Sequence, residues 1–99
     1  MGQEFTLYFS VNAESLESLV GVYRHPTDTA ITYTVSRQGD HLMIGATGSG
    51  YRMEIKPESE TDFFIKFPDQ EFHFLKDSDG KVTHLVFGPD STKVGAKIQ

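Results

Sequence analysis

The sequence contains no cysteine and no tryptophan. Without a thiol there is no disulfide framework, no thiolate nucleophile and no cysteine-based zinc site, and the compartment is left open because either redox environment tolerates such a domain. No stretch approaches the roughly 20 apolar residues of a membrane-spanning helix, so no membrane partner is expected. Residues 1–11 hold Glu4 and no Lys or Arg, and the apolar run from Phe5 to Phe9 is broken by Thr6. That is not the basic-then-apolar order of a secretion signal. Positive charge is scarce: nine Lys and Arg stand against fourteen Asp and Glu, a net charge of −5. Such a surface repels phosphate backbones, which argues against a nucleic-acid partner.

Aromatic bulk is present instead, as eight Phe and four Tyr, side chains that suit the interior of a pleated sheet. At 99 residues the chain has length for one core, since domains commonly run to about 100–150 residues. It is expected to be a single domain over residues 1–99, with residues 1–11 forming either an additional strand or an arm left by an expression start at Met1-Gly2.

Glu4 to Ser10 alternates with Phe5, Leu7 and Phe9 on one face, the period of a strand. Asn12 is placed to cap a short helix over 13–20, in which Leu16, Leu19 and Val20 fall on one side, and Gly21 stands where a helix commonly ends. From Gly21 onward turn residues recur every eight to twelve positions, predicting strands near 21–25, 30–37, 41–46, 51–56, 62–67, 70–76, 81–87 and 93–98. The turns are Gln38-Gly39-Asp40, Thr47 to Gly50, Pro57 to Glu60, Pro68-Asp69, Asp77 to Gly80 and Gly88-Pro89-Asp90.

Within these segments Ile31, Tyr33 and Val35 alternate with Thr32, Thr34 and Ser36, and Tyr51, Met53 and Ile55 with Arg52, Glu54 and Lys56. One face is therefore dry and the other wet. Phe63, Ile65 and Phe67 continue the dry face, and Phe72 and Phe74 are expected to face Val94, Ala96 and Ile98. The odd spacing of Val82 and Leu85 predicts a bulge in the strand after Gly80. Connections this short permit hairpins and forbid parallel crossovers. The fold class is thus all-β with one short N-terminal helix, an antiparallel meander of about eight strands that closes to remove its edges.

The chemistry-bearing residues are sparse. Gly48-Ser49-Gly50 lacks the spacing of a Gly-x-Ser-x-Gly elbow and reads as a hairpin loop. Of His25, His41, His73 and His84, only His73 and His84 flank one turn, and in one of two registers they would come opposite each other, close enough to share an ion. The bland reading, two surface imidazoles, is the better one. Asp77-Ser78-Asp79-Gly80 resembles the start of a calcium loop but lacks the later ligands, and a turn with Gly80 left-handed explains it better. Glu58, Glu60 and Asp62 read as a solvated charged turn. No catalytic residue, metal site or cofactor is expected, and the chain is expected not to be an enzyme.

Leu16 and Leu19, Gly21-Val22-Tyr23, the strand Phe72-His73-Phe74, the run Asp79-Gly80-Lys81-Val82 and the closing Ala96-Lys97-Ile98 together resemble the lipocalin-like C-terminal accessory domain of β-lactamase-related serine hydrolases. The resemblance runs from about Leu16 to Ile98. It implies a small non-catalytic barrel beside an enzyme whose catalytic Ser-x-x-Lys belongs to the other domain. Three readings follow: an accessory or binding module contacting a partner domain or small ligand; a free-standing carrier of a small apolar molecule with Tyr33, Phe63, Phe72 and Phe74 as its wall; and a homodimer that covers the strand Phe5 to Phe9.

Overall fold

The computed structural model describes residues 13–66, 70–88 and 93–99. The expected strand Glu4 to Ser10, the cap Asn12, Phe67 and the turns around Pro68 and Pro89 lie outside the described residues.

Helix α1 (Ala13–Leu19) is followed by eight strands: β1 (Gly21–Arg24), β2 (Thr32–Gln38), β3 (His41–Ala46), β4 (Met53–Pro57), β5 (Asp62–Ile65), β6 (Gln70–Lys76), β7 (Val82–Gly88) and β8 (Val94–Ala96). Each strand pairs antiparallel with the next, in the spatial order β1 to β8. This is the meander that hairpin-length connections dictate. The turn Asp77 to Gly80 shows the local cause. Asp77 Oδ1 accepts the N–H groups of Asp79 (2.8 Å) and Lys81 (3.0 Å), and Gly80 takes φ = +81°, a conformation that costs glycine nothing.

The two ends of the sheet meet. Val22 donates its N–H to the carbonyl of Gln99 (3.0 Å) and accepts from Ile98 N–H (2.8 Å), and Tyr23 bridges Lys97, so the sheet is a nearly closed barrel. Closure sets the phase of β8. Leu85, fully buried, pairs with Gly95, so Gly95 turns inward and Val94 and Ala96 turn away. A Cβ on Gly95 would run into the carbonyl oxygen of Arg24. This corrects the expected inward row of Val94, Ala96 and Ile98; Ile98 is 41% exposed. Phe72 and Phe74 instead pair with Phe87 and Leu85 on β7.

The expected bulge is present: Leu75 pairs with His84 while Lys76 pairs with Val82, leaving Thr83 as the extra residue. Two apolar positions leave the dry face. Ile31 (38% exposed) precedes β2, and Tyr51 (67% exposed) precedes β4, because the chain is still in the loop at both points and the alternation of a strand has not begun.

The interior holds Tyr23, Val35, Leu42, Ile55, Phe63 and Leu85, each essentially without solvent contact. Phe74 meets Tyr23 and Phe63 edge-on, with ring centroids 5.7 Å apart in both pairs. Burial of such side chains stabilises by about 1.5–3 kcal/mol each. Leu16 and Leu19 of α1 join this core. The helix packs on β2, Glu17 pairs with Arg37 near the β2–β3 hairpin (2.9 Å), and α1 thereby plugs one end of the barrel.

Candidate functional site

The opposite end is open. The strand order brings Tyr33, Ala46, Met53, Ile65, Gln70 and Phe87 to that end, where they line a cavity of about 230 Å³ together with Ile44, Gly45, Tyr51 and Phe72. Its cause is a splay in the sheet. Strands β4 and β5 pair only at Lys56 with Phe64 and Pro57 with Phe63, at the end near α1. Toward the mouth Met53 and Ile65 have no cross-strand partner in each other, and the cavity opens between them.

The wall is aromatic. His25 stacks on Tyr33 (5.9 Å, 25°), Tyr33 leans on Phe87 (5.1 Å), and Phe87 meets Phe72 edge-on (6.1 Å). His25 is held in this row by its Nδ1, which accepts the N–H groups of Thr27 (3.1 Å) and Asp28 (2.9 Å). Of the four expected wall residues, Tyr33 and Phe72 line the cavity. Phe63 and Phe74 lie deeper, in the packed layer beneath it. Phe87 was not among the expected residues, although its even spacing from Leu85 beyond the bulge places it on the inner face.

Polar groups at the mouth are few. Gln70 is half-buried, and its Nε2 donates to the carbonyl oxygens of Gly88 (2.8 Å) and Glu71 (3.2 Å). Among the described residues, no His, Lys, Asp, Glu, Ser or Thr lines the cavity.

A second cluster lies on the outer face of β5 and β6. Asp62 pairs across the strands with His73, whose Nδ1 lies 2.8 Å from Asp62 Oδ1 and whose Nε2 lies 3.0 Å from Glu71 Oε1. Ser59 Oγ donates to Asp62 Oδ2 (2.9 Å). Asp62 is therefore part of a paired strand position rather than of a solvated turn, as the expectation had it. The hydrogen bond to Asp62 raises the His73 pKa above its ordinary value, with Glu71 adding to it, while the same bond holds the Asp62 carboxyl below the usual carboxylate range. Serine, aspartate and histidine meet here, but in an order that cannot activate a nucleophile. Ser59 donates to the carboxylate and not to the imidazole, and both imidazole nitrogens are occupied by carboxylates, so no basic nitrogen faces a hydroxyl. The cluster clamps two strands and a turn.

His73 and His84 are not opposite each other: His73 faces Val86 and His84 faces Leu75. Among the described residues no group of three His, Asp or Glu is arranged to hold a metal ion. His41 is engaged with Glu54 (2.8 Å). A Ser-x-x-Lys spacing does occur, at Ser78 and Lys81, but both residues are exposed in the β6–β7 turn. No helix among the described residues is long and apolar enough to cross a membrane.

The family model described as "Domain of unknown function (DUF3471)" matches residues 9–98. A search of curated proteins finds no match.

Proposed function

Since the chain belongs to the DUF3471 family, we propose that it is a non-catalytic accessory or binding module that presents the open mouth of its barrel to a partner domain. The finer likeness, to the lipocalin-like accessory domain of β-lactamase-related serine hydrolases, is part of the same proposal. It is supported by the nearly closed meander and the helix that plugs one end.

The observation that carries the reading is the shape of the cavity: apolar, half-open and about 230 Å³. Pockets that enclose drug-sized ligands run to roughly 300–1,000 Å³. A carrier must surround its cargo, whereas this cavity admits one ring or one branched side chain and leaves it partly exposed. A side chain borne by a neighbouring domain fits that description, because the partner supplies the missing cover.

The test is two-dimensional amide NMR with toluene as a probe, run beside a fluorescent long-chain fatty acid. Toluene is expected to move the signals of Gly45, Ala46, Met53, Ile65 and Phe87, and the fatty acid to gain no fluorescence and leave the melting temperature unchanged. Toluene shifts confined to other parts of the barrel would sink the mouth as a binding surface. A fluorescent gain with a raised melting temperature would replace the accessory module with a carrier.

A further inference from the structure

We infer that the occupant of the mouth is a hydrogen-bond-donating aromatic side chain, the phenol of a tyrosine or the indole of a tryptophan, carried by the partner domain and received by the Oε1 atom of Gln70. The inference rests on the mouth being the binding surface and adds the chemistry of what enters it.

The argument begins with Gln70. Its Nε2 is committed to two backbone carbonyls, those of Gly88 and Glu71, and a carbonyl accepts only from N–H or O–H, so the orientation of the amide is fixed. Its Oε1 has no partner among the described residues. Gln70 is half-buried and lines the apolar cavity, and a free amide oxygen on a lining residue is a request for a donor, because an acceptor covered without one loses its water and gains nothing. The rest of the wall selects the body of the ligand. Tyr33, Phe72 and Phe87 offer ring faces and edges, which favour another ring in offset or edge-on contact. Met53 adds a sulfur, which also favours aromatic edges.

Size decides between a free phenol and a tethered one. A cavity of about 230 Å³ holds a ligand of few heavy atoms, and small free ligands have a low ceiling on affinity. A side chain held on an adjoining domain needs little intrinsic affinity, since tethering raises its effective concentration to the order of millimolar. Phenylalanine would fill the space but leave Oε1 unpaired once the partner covered it.

The experiment compares toluene, 4-methylanisole, p-cresol and N-acetyltyrosinamide by amide NMR on the same chain. 4-Methylanisole keeps an oxygen but has no O–H, and so controls for an acceptor interaction such as one with the Tyr33 hydroxyl. The expected result is p-cresol binding about three- to tenfold more tightly than toluene and 4-methylanisole, the range one hydrogen bond supplies, with N-acetyltyrosinamide moving the same amides. In Gln70→Leu the advantage of p-cresol should vanish while toluene still binds. Equal affinity for toluene, 4-methylanisole and p-cresol on the unaltered chain would overturn the donor while leaving the mouth reading intact, and that comparison stands even if the variant fails to fold. Binding of p-cresol without N-acetyltyrosinamide would assign the site to a free phenol and overturn the tethered side chain. Failure of toluene itself to reach the mouth would remove the underlying reading and the inference with it.

Discussion

The hydroxyl of Tyr23 donates a 2.7 Å hydrogen bond to the carbonyl oxygen of Leu19, tying the last turn of α1 to the inside of the barrel. Both residues are buried, and burial pushes the Tyr23 phenol well above its ordinary pKa, so it stays protonated as a donor. The Leu19 carbonyl is one of those a helix end leaves without an internal partner. Tyr23→Phe should therefore cost about 1–3 kcal/mol in chemical unfolding, because an acceptor is stranded away from water. A change within error would mean that water reaches the Leu19 carbonyl and that the helix is a loose plug.

Barrel closure is tested at Gly95. Any side chain there meets the Arg24 carbonyl, and the obstacle is backbone, which cannot rotate away. Gly95→Ala should destabilise by at least about 1–3 kcal/mol, the usual cost of overpacking, and should weaken hydrogen-exchange protection of Val22 and Ile98. Unchanged protection at those amides would show that Gly95 does not press against Arg24 at the β1–β8 seam.

The outer clamp predicts a pH dependence with a definite sign. The folded-state pKa of His73 is raised above 6.5, so its contribution is complete below that value and is lost as pH rises through the folded pKa. Asp62 is lowered from 3.8, so its contribution is complete above that value and is lost as pH falls through the folded pKa. The pair stabilises most between the two ordinary values, by no more than about 1 kcal/mol once solvent screening is counted. In unfolding measured across pH, His73→Gln should remove the part of the decline above neutrality that belongs to the clamp. Identical profiles for the two chains would contradict it.

The two aromatic layers should respond differently to truncation. Phe74→Ala removes a ring packed between Tyr23 and Phe63 and should cost about 3–5 kcal/mol. Tyr51→Ala, at a rim position 67% exposed, should change stability by less than about 0.5 kcal/mol while weakening toluene binding. A large loss of stability at Tyr51 would make the rim part of the core.

Much of this architecture is legible in the sequence because it is local. The Asp77 to Gly80 turn, the helix ending before Gly21 and the bulge implied by Val82 and Leu85 each follow from a few neighbouring residues. What could not be read depends on contacts between distant segments. Gly95 faces inward because β8 must approach Arg24, and no pattern within Val94–Ala96 announces it. His73 meets Asp62 because the β5–β6 register sets the two opposite each other, and it misses His84 because the β6–β7 register gives it Val86. The candidate site is partly legible: Tyr33 and Phe72 follow from alternation, but the cavity is a shortage of side chains where β4 and β5 splay, and periodicity does not record empty space. Phe63 and Phe74 share the inward phase of those wall residues and differ only in depth along the barrel.

The mouth as the functional surface is tested most directly by filling it. Ala46 is exposed on its rim, and in Ala46→Trp the introduced indole can occupy the cavity. The dissociation constant of toluene measured by amide NMR on that variant decides the matter: loss of binding with an unlowered melting temperature is the predicted result, and unchanged binding by a folded variant would contradict it.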